Sequence, residues 1–212
     1  MAERFPLDHS GQWCEVLRPH LGAPRPAIFL DRDGTLIELV EYLAEPDKVR
    51  LIDSALALVR AANTRDWPVV VITNQSAIAR GLHDWTAFAA VQRRLLALLD
   101  AAGCALDAVM ACPALPDSNA PCRKPNPGML LSAARRLPIE LTSSWIVGDS
   151  AIDLEAGKRA GLRHGWLAPT GYGSRDEAAA RSLVGSGFDA VFLEPLSTLA
   201  ARLSTDPSSS NK

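Results

Sequence analysis

Residues 27–35 read Ala-Ile-Phe-Leu-Asp-Arg-Asp-Gly-Thr. The first four, 27–30, are a short continuous apolar run, the form of a strand buried on both faces. Polar residues follow at once. The same form recurs at 69–72, 108–111, 144–147, 165–167 and 190–193. Between these runs lie stretches with apolar residues at helical spacing, over 53–65, 85–102, 128–137, 151–161, 176–185 and 196–203. In the second of them Trp85, Phe88, Val91, Leu95, Leu96 and Leu99 form one stripe. Strands alternating with helices imply right-handed βαβ units. The expected fold is therefore α/β, a Rossmann-like doubly wound parallel sheet. In such a sheet the ligand crevice lies beyond the C-terminal ends of the strands.

Composition is consistent with one domain and narrows the function. The chain has 212 residues, 48% hydrophobic and 22% charged, close to the globular average. Its net charge of -2 lacks the basic footprint of a non-specific nucleic-acid binder. No apolar run reaches the length of a membrane-spanning helix, and the first 26 residues contain no signal-peptide core. A cytoplasmic location follows, with Cys14, Cys104, Cys112 and Cys122 expected as thiols. Residues 1–26, rich in proline, are expected to form an irregular N-terminal arm that packs Phe5, Trp13 and Leu17 on the body, beside the sheet and over its edge strand. Residues 204–212 are polar and expected to be a disordered tail.

Polar residues cluster where the apolar runs end. Asp31-Arg32-Asp33-Gly34-Thr35 follows the first and Thr73-Asn74-Gln75-Ser76 the second. Gly148-Asp149 follows the run at 144–147, with Asp153 four residues on, and Arg123-Lys124-Pro125 precedes the helix at 128. Each set has a plain structural reading: a turn or calcium-type loop fragment, a helix cap, a loop with an N-cap. All of them together, at one edge of one sheet, point to a site. Converging carboxylates need a cation, and a few hard oxygen ligands suit Mg²⁺. A carboxylate can attack phosphorus to give an aspartyl-phosphate. The transferred group then needs a cation, a hydroxyl and backbone N–H groups around it, which Lys124, Thr73 and the 31–35 loop can supply.

These sets resemble the four motifs of the haloacid dehalogenase (HAD) superfamily of phosphatases. The longer strings FLDRDGTLIE, VVVITNQSAIARG, CRKPNPGML, IVGDSAIDLEAGKRAG and GWLAPTGYG resemble its D-glycero-D-manno-heptose 1,7-bisphosphate 7-phosphatase and histidinol-phosphatase subgroup. The likeness covers about residues 27–200 and implies a hydrolase domain over 27–203. It implies Asp31 as nucleophile and Asp33 as general acid and then base. Thr73 and Lys124 would hold the phosphoryl oxygens. Asp31, the Asp33 backbone carbonyl, Asp149 and Asp153 would serve Mg²⁺, with Asp153 also supporting Lys124. Arg123 would meet a second anion on the substrate. Asn74, Gln75 and Arg80 would shape the substrate loop.

The leading expectation from this likeness is a Mg²⁺-dependent phosphatase acting on a heptose bisphosphate. A histidinol-phosphate phosphatase is the nearest alternative, followed by a nucleic-acid 3′-phosphatase and a catalytically dead scaffold. The partner would be a small phosphorylated molecule, with no nucleic acid or membrane, and the chain a monomer. The spacing from Thr35 to Thr73 and from Thr73 to Lys124 leaves no room for a cap domain, so specificity falls to the loops at 36–48, 77–84 and 113–123. The subgroup's zinc loop carries four ligands. Here only Cys112 and Cys122 remain of that pattern, and no zinc is expected.

Overall fold

The computed structural model describes residues 4–20 and 22–205. Seven strands form one sheet: β1 (Trp13–Val16), β2 (Ile28–Leu30), β3 (Val69–Asn74), β4 (Ala108–Cys112), β5 (Trp145–Gly148), β6 (His164–Leu167) and β7 (Asp189–Phe192). Their order is β1-β4-β3-β2-β5-β6-β7. Six strands are parallel and β1 alone is antiparallel, against β4. The helices are α1 (Asp53–Thr64), α2 (Ser76–Ala79), α3 (Trp85–Ala101), α4 (Gly128–Ala134), α5 (Ala151–Arg159), α6 (Gly173–Arg181) and α7 (Leu196–Thr205).

The apolar runs are buried on both faces because both faces carry helices. In β3, Val69 and Val71 join a core with β2 residues Ile28 and Leu30, with Leu58 of α1, Phe88 of α3 and Leu199 of α7. The alternate residues, Val70 and Ile72, pack with Phe29 and with Met129 of α4 and Leu154 of α5 on the other side. β-branched residues suit such a surface because their stiff side chains lose little on a pleat.

Four expectations change. The arm is not irregular throughout, since β1 pairs Trp13 with Ala111 and Val16 with Ala108 and so covers the edge of β4. Trp13 stacks into an aromatic group with Phe5, Trp85 and Phe88, at centroid distances of 5.7, 5.4 and 5.0 Å. Fully buried Asp107 anchors the same segment through Arg18 and His20, the latter at 2.5 Å. At the other terminus Ser204 and Thr205 close α7 rather than begin a tail, and residues 206–212 lie outside the described residues. α4 stops at Ala134, whose carbonyl would bond the N–H four residues on, which Pro138 lacks. α6 starts three residues early, at Gly173, where a Cβ would meet the Ala168 carbonyl oxygen at 1.9 Å.

Candidate active site

Strand register sets the site. Leu30 is level with Val71 on one side and Val147 on the other. Asp31, Thr73 and Asp149 therefore leave three neighbouring strands at one edge. Thr73 and Asn74 are the last residues of β3 rather than the first of a loop.

Lys124 reaches this edge from the 113–127 loop. Its ammonium donates to Asp31 Oδ1 at 2.5 Å and to the Ile72 carbonyl at 2.9 Å, and pairs with Asp153 Oδ1 at 2.6 Å. Asn74 holds that loop reciprocally. Its Nδ2 donates to the Lys124 carbonyl and its Oδ1 accepts from the Lys124 N–H, both at 3.1 Å. Asp153 is fixed in turn at the start of α5, where its Oδ2 accepts the Ser150 N–H at 3.0 Å. Gly148 leaves room for it, since a Cβ there would lie 2.3 Å from Asp153 Oδ2.

Asp31, Asp149 and Asp153 are all buried, and one oxygen of each lies within 4.8 Å of the others. Burial pushes the Asp31 carboxyl well above its ordinary value. Lys124 opposes this, while Asp153, Asp149 and Asp33 add to it. Burial, with Asp153 beside it, raises Asp149 to about 7 against the pull of the Tyr172 N–H and Lys124. Burial alone would lower Lys124, but Asp153 and Asp31 raise it above the usual lysine value, so it is charged.

The Asp33 side chain is not part of this carboxylate group. Its Oδ2 accepts from Arg32 Nε at 3.0 Å, Gln75 Nε2 at 3.0 Å and Thr73 Oγ1 at 3.3 Å. Its Oδ1 accepts from Arg32 Nη2 at 3.1 Å. Gln75 Nε2 also reaches Thr73 Oγ1 at 2.8 Å. Arg32 lies in the first motif, yet nothing in the sequence marks it.

The GYG turn also packs against the carboxylates. Tyr172 N–H donates to Asp149 Oδ2 at 2.8 Å. A Cβ on Gly34 or Gly171 would meet the same oxygen at 2.3 or 1.8 Å. Both glycines have positive φ, and here they serve close approach as well as turning. Their signal was available, as the turn follows the C-terminal end of β6.

One open cleft of about 330 Å³ collects Asp31, Asp33, Thr73, Asn74, Gln75, Arg123, Lys124, Asp149 and Asp153. Tyr42, Tyr172 and Arg175 stand at its rim. Between Thr35 and Thr73 lie only a loop with a 3₁₀ turn at Pro46–Lys48 and α1, with no inserted domain among the described residues. Arg123 is half-buried and held by the Ala114 carbonyl at 2.8 Å. Arg80 does not line the cleft. It is exposed at the end of α2, near enough to help lower Arg123, although burial is the larger cause.

The cysteines depart from expectation. Cys112 and Cys122 are joined as a disulfide rather than held as thiols, while Cys14 and Cys104 are free. The loop between them folds back so that their Cα atoms lie 5.6 Å apart, within bridging distance.

The HAD-hydrolase-like family model matches residues 121–187. Over 176 residues the chain is 47% identical to the D-glycero-beta-D-manno-heptose-1,7-bisphosphate 7-phosphatase of Mesorhizobium japonicum, covering 76% of this chain and 78% of that one. The crystal structure of a HAD-like phosphatase from Mesorhizobium loti superposes with a TM-score of 0.83 at 40% identity, over 95% of this chain and 97% of that one. The D,D-heptose 1,7-bisphosphate phosphatase of B. bronchiseptica, complexed with magnesium and phosphate, gives 0.75 at 34%, over 84% and 98%. With that fold and these carboxylates at its strand ends, the chain belongs to the HAD superfamily of phosphatases. The heptose bisphosphate phosphatases just described are its relatives within that superfamily. Among the described residues no helix is long and apolar enough to cross a membrane.

Proposed function

We propose that the chain removes the 7-phosphate of D-glycero-D-manno-heptose 1,7-bisphosphate, with Mg²⁺ as cofactor. The observation that carries this reading is the buried Lys124 ammonium set between Asp31 and Asp153 at the floor of the cleft. It places a fixed cation beside a carboxylate that has one oxygen left to react. Three buried carboxylates and one lysine leave negative charge uncompensated, and their hard oxygen donors fit a small dication. Asp31 and Asp149 would hold the ion, with the Asp33 backbone carbonyl. Asp153 contributes chiefly by fixing Lys124, since Lys124 and the Ser150 N–H already engage its two oxygens. When bound, Mg²⁺ supplies the positive charge that lets an anionic phosphoryl group approach an anionic nucleophile.

The chain's own residues do the rest. An Asp31 carboxylate oxygen attacks phosphorus, and the bond to the sugar oxygen breaks as Asp33 gives that oxygen a proton. Lys124 and Thr73 neutralise and hold the phosphoryl oxygens. Water then attacks the aspartyl-phosphate and Asp33 takes its proton. The phosphorus–oxygen bond to Asp31 breaks, and inorganic phosphate leaves. Arg123, at the cleft wall, meets the second phosphate of the substrate. In this reading the chain works as a cytoplasmic monomer on a free sugar phosphate, whose approach the open cleft permits.

The test is phosphate release, with and without Mg²⁺, from heptose 1,7-bisphosphate and from histidinol phosphate. The expected result is a Mg²⁺ requirement and a preference above about tenfold in kcat/KM for the heptose, or roughly 1.4 kcal/mol. Asp31→Asn should abolish turnover, and full activity in that variant refutes the nucleophile. Equal rates on both substrates refute the substrate.

A further inference from the structure

The buried Arg32 has no task in the reaction as described so far. Its side chain is 1% exposed, and burying a guanidinium is costly unless the charge is used. Two of its three nitrogens are engaged by Asp33: Nε donates to Oδ2 at 3.0 Å, and Nη2 lies 3.1 Å from Oδ1 and 3.0 Å from Oδ2, so the fork grips one carboxylate. The guanidinium carbon lies 5.2 Å from the centre of the Phe88 ring. Nη1 has no partner among the described residues. Arg32 lines the cleft floor, but its guanidinium is turned onto Asp33 rather than left free for a substrate anion.

The donors on Asp33 are unequal. Among the described residues, Oδ2 accepts from three, Arg32, Gln75 and Thr73, whereas Oδ1 accepts from Arg32 Nη2 alone. An oxygen surrounded by donors is a poor seat for a proton. The structure assigns to Arg32 the role of a positioning residue: its fork fixes the plane of the Asp33 carboxyl so that Oδ1 is the oxygen that gives the leaving group its proton and takes one from water. The inference rests on the acid–base role proposed for Asp33. Arginine suits the position because one lysine ammonium cannot engage both oxygens in a plane.

A residue that only supports the fold would lower turnover of every substrate alike. A residue that aims a general acid matters most where the leaving group needs a proton. The test compares kcat/KM, which reports steps through the first phosphoryl transfer, for heptose 1,7-bisphosphate and for p-nitrophenyl phosphate, whose leaving group departs as a stable anion. General acid catalysis is worth roughly 10²–10⁴-fold. In R32M the ratio of sugar to aryl kcat/KM should fall at least about tenfold, and in D33N at least as far. R32M added to D33N should lower the ratio no further, because both act through one group. R32K should fall between R32M and the wild type, and it carries the comparison alone should R32M fail to fold. If D33N collapses the ratio while the Arg32 variants lower both substrates equally, the inference on Arg32 is overturned and the reading of Asp33 stands. If D33N leaves the ratio unmoved, the acid role falls and the inference with it.

Discussion

Removing the metal should make this protein less stable as pH rises from about 4 to 8, the reverse of the usual trend for a protein whose carboxylates are paired. Asp149 protonates at about 7 in the folded chain, against 3.8 for an unperturbed aspartate. Between those values the folded state holds a proton that the unfolded state has released. Stability is then lost with rising pH across that window. Three pH units correspond to about 4 kcal/mol, an upper figure because Asp149 titrates together with its neighbours. Asp31 is shifted the same way by burial and adds to the loss. Asp8 and Asp176, held below the ordinary value by hydrogen bonds that outweigh their burial, act in the opposite sense below 3.8, and His164, which burial lowers from 6.5, opposes the trend within the window and reduces the net drop. The assay is urea unfolding in EDTA at pH 5 and pH 8. The expected result is a drop on the order of a few kcal/mol at pH 8, greatly reduced in Asp149→Asn. Saturating Mg²⁺ should restore about 3 kcal/mol at a hundred times its dissociation constant. Stability that is flat or rises from pH 5 to pH 8 in EDTA would refute the account of the carboxylate cluster.

Lys124→Met should cost about 3–5 kcal/mol, because it strands two buried carboxylates. For a chain of this size that is a fall of roughly 6–20 °C in Tm, and a fall under about 2 °C at pH 8 would contradict the pairing. Gly171→Ala would put a methyl group 1.8 Å from Asp149 Oδ2. Calorimetric titration should show Mg²⁺ affinity weakened at least about tenfold, and unchanged affinity would remove Asp149 from the metal site. Thiol titration of the protein denatured without reductant should find two reactive groups, Cys14 and Cys104. Four would mean that Cys112 and Cys122 are not joined.

How far the sequence can be read depends on the range of the interaction. The parallel strands were legible because a short, unbroken apolar run leaves no polar face for solvent and so has to be covered on both sides. Their C-terminal ends then located Asp31, Thr73 and Asp149 without any contact being known. β1 was not legible. Trp-Cys-Glu-Val is only four residues long and set among prolines, and what makes it a strand is the unpaired edge of β4, far away along the chain. The early start of α6 is similar. Gly173 opens the helix with the Ala168 carbonyl oxygen so close that no Cβ would fit, a contact only the folded backbone reveals.

The site separates in the same way. Residues that would touch phosphate were visible because the chemistry restricts them to carboxylate, hydroxyl and ammonium. Residues that hold them in place were not, because a guanidinium, an amide or a missing Cβ can do that work from many positions. Asn74 reads in the sequence as a substrate-loop residue, yet both its amide bonds run to the Lys124 backbone. From the cleft lining it also places the lysine. Arg32 was invisible for a stronger reason. In the sequence it stands between two aspartates with nothing to mark it, whereas in the fold it is buried beside Phe88 with its fork closed on one of them. A counter-charge for an exposed carboxylate would be worth under about 1 kcal/mol and could be lost freely. A buried fork fixes geometry, and its loss should therefore appear in which substrate is hydrolysed, not only in how fast.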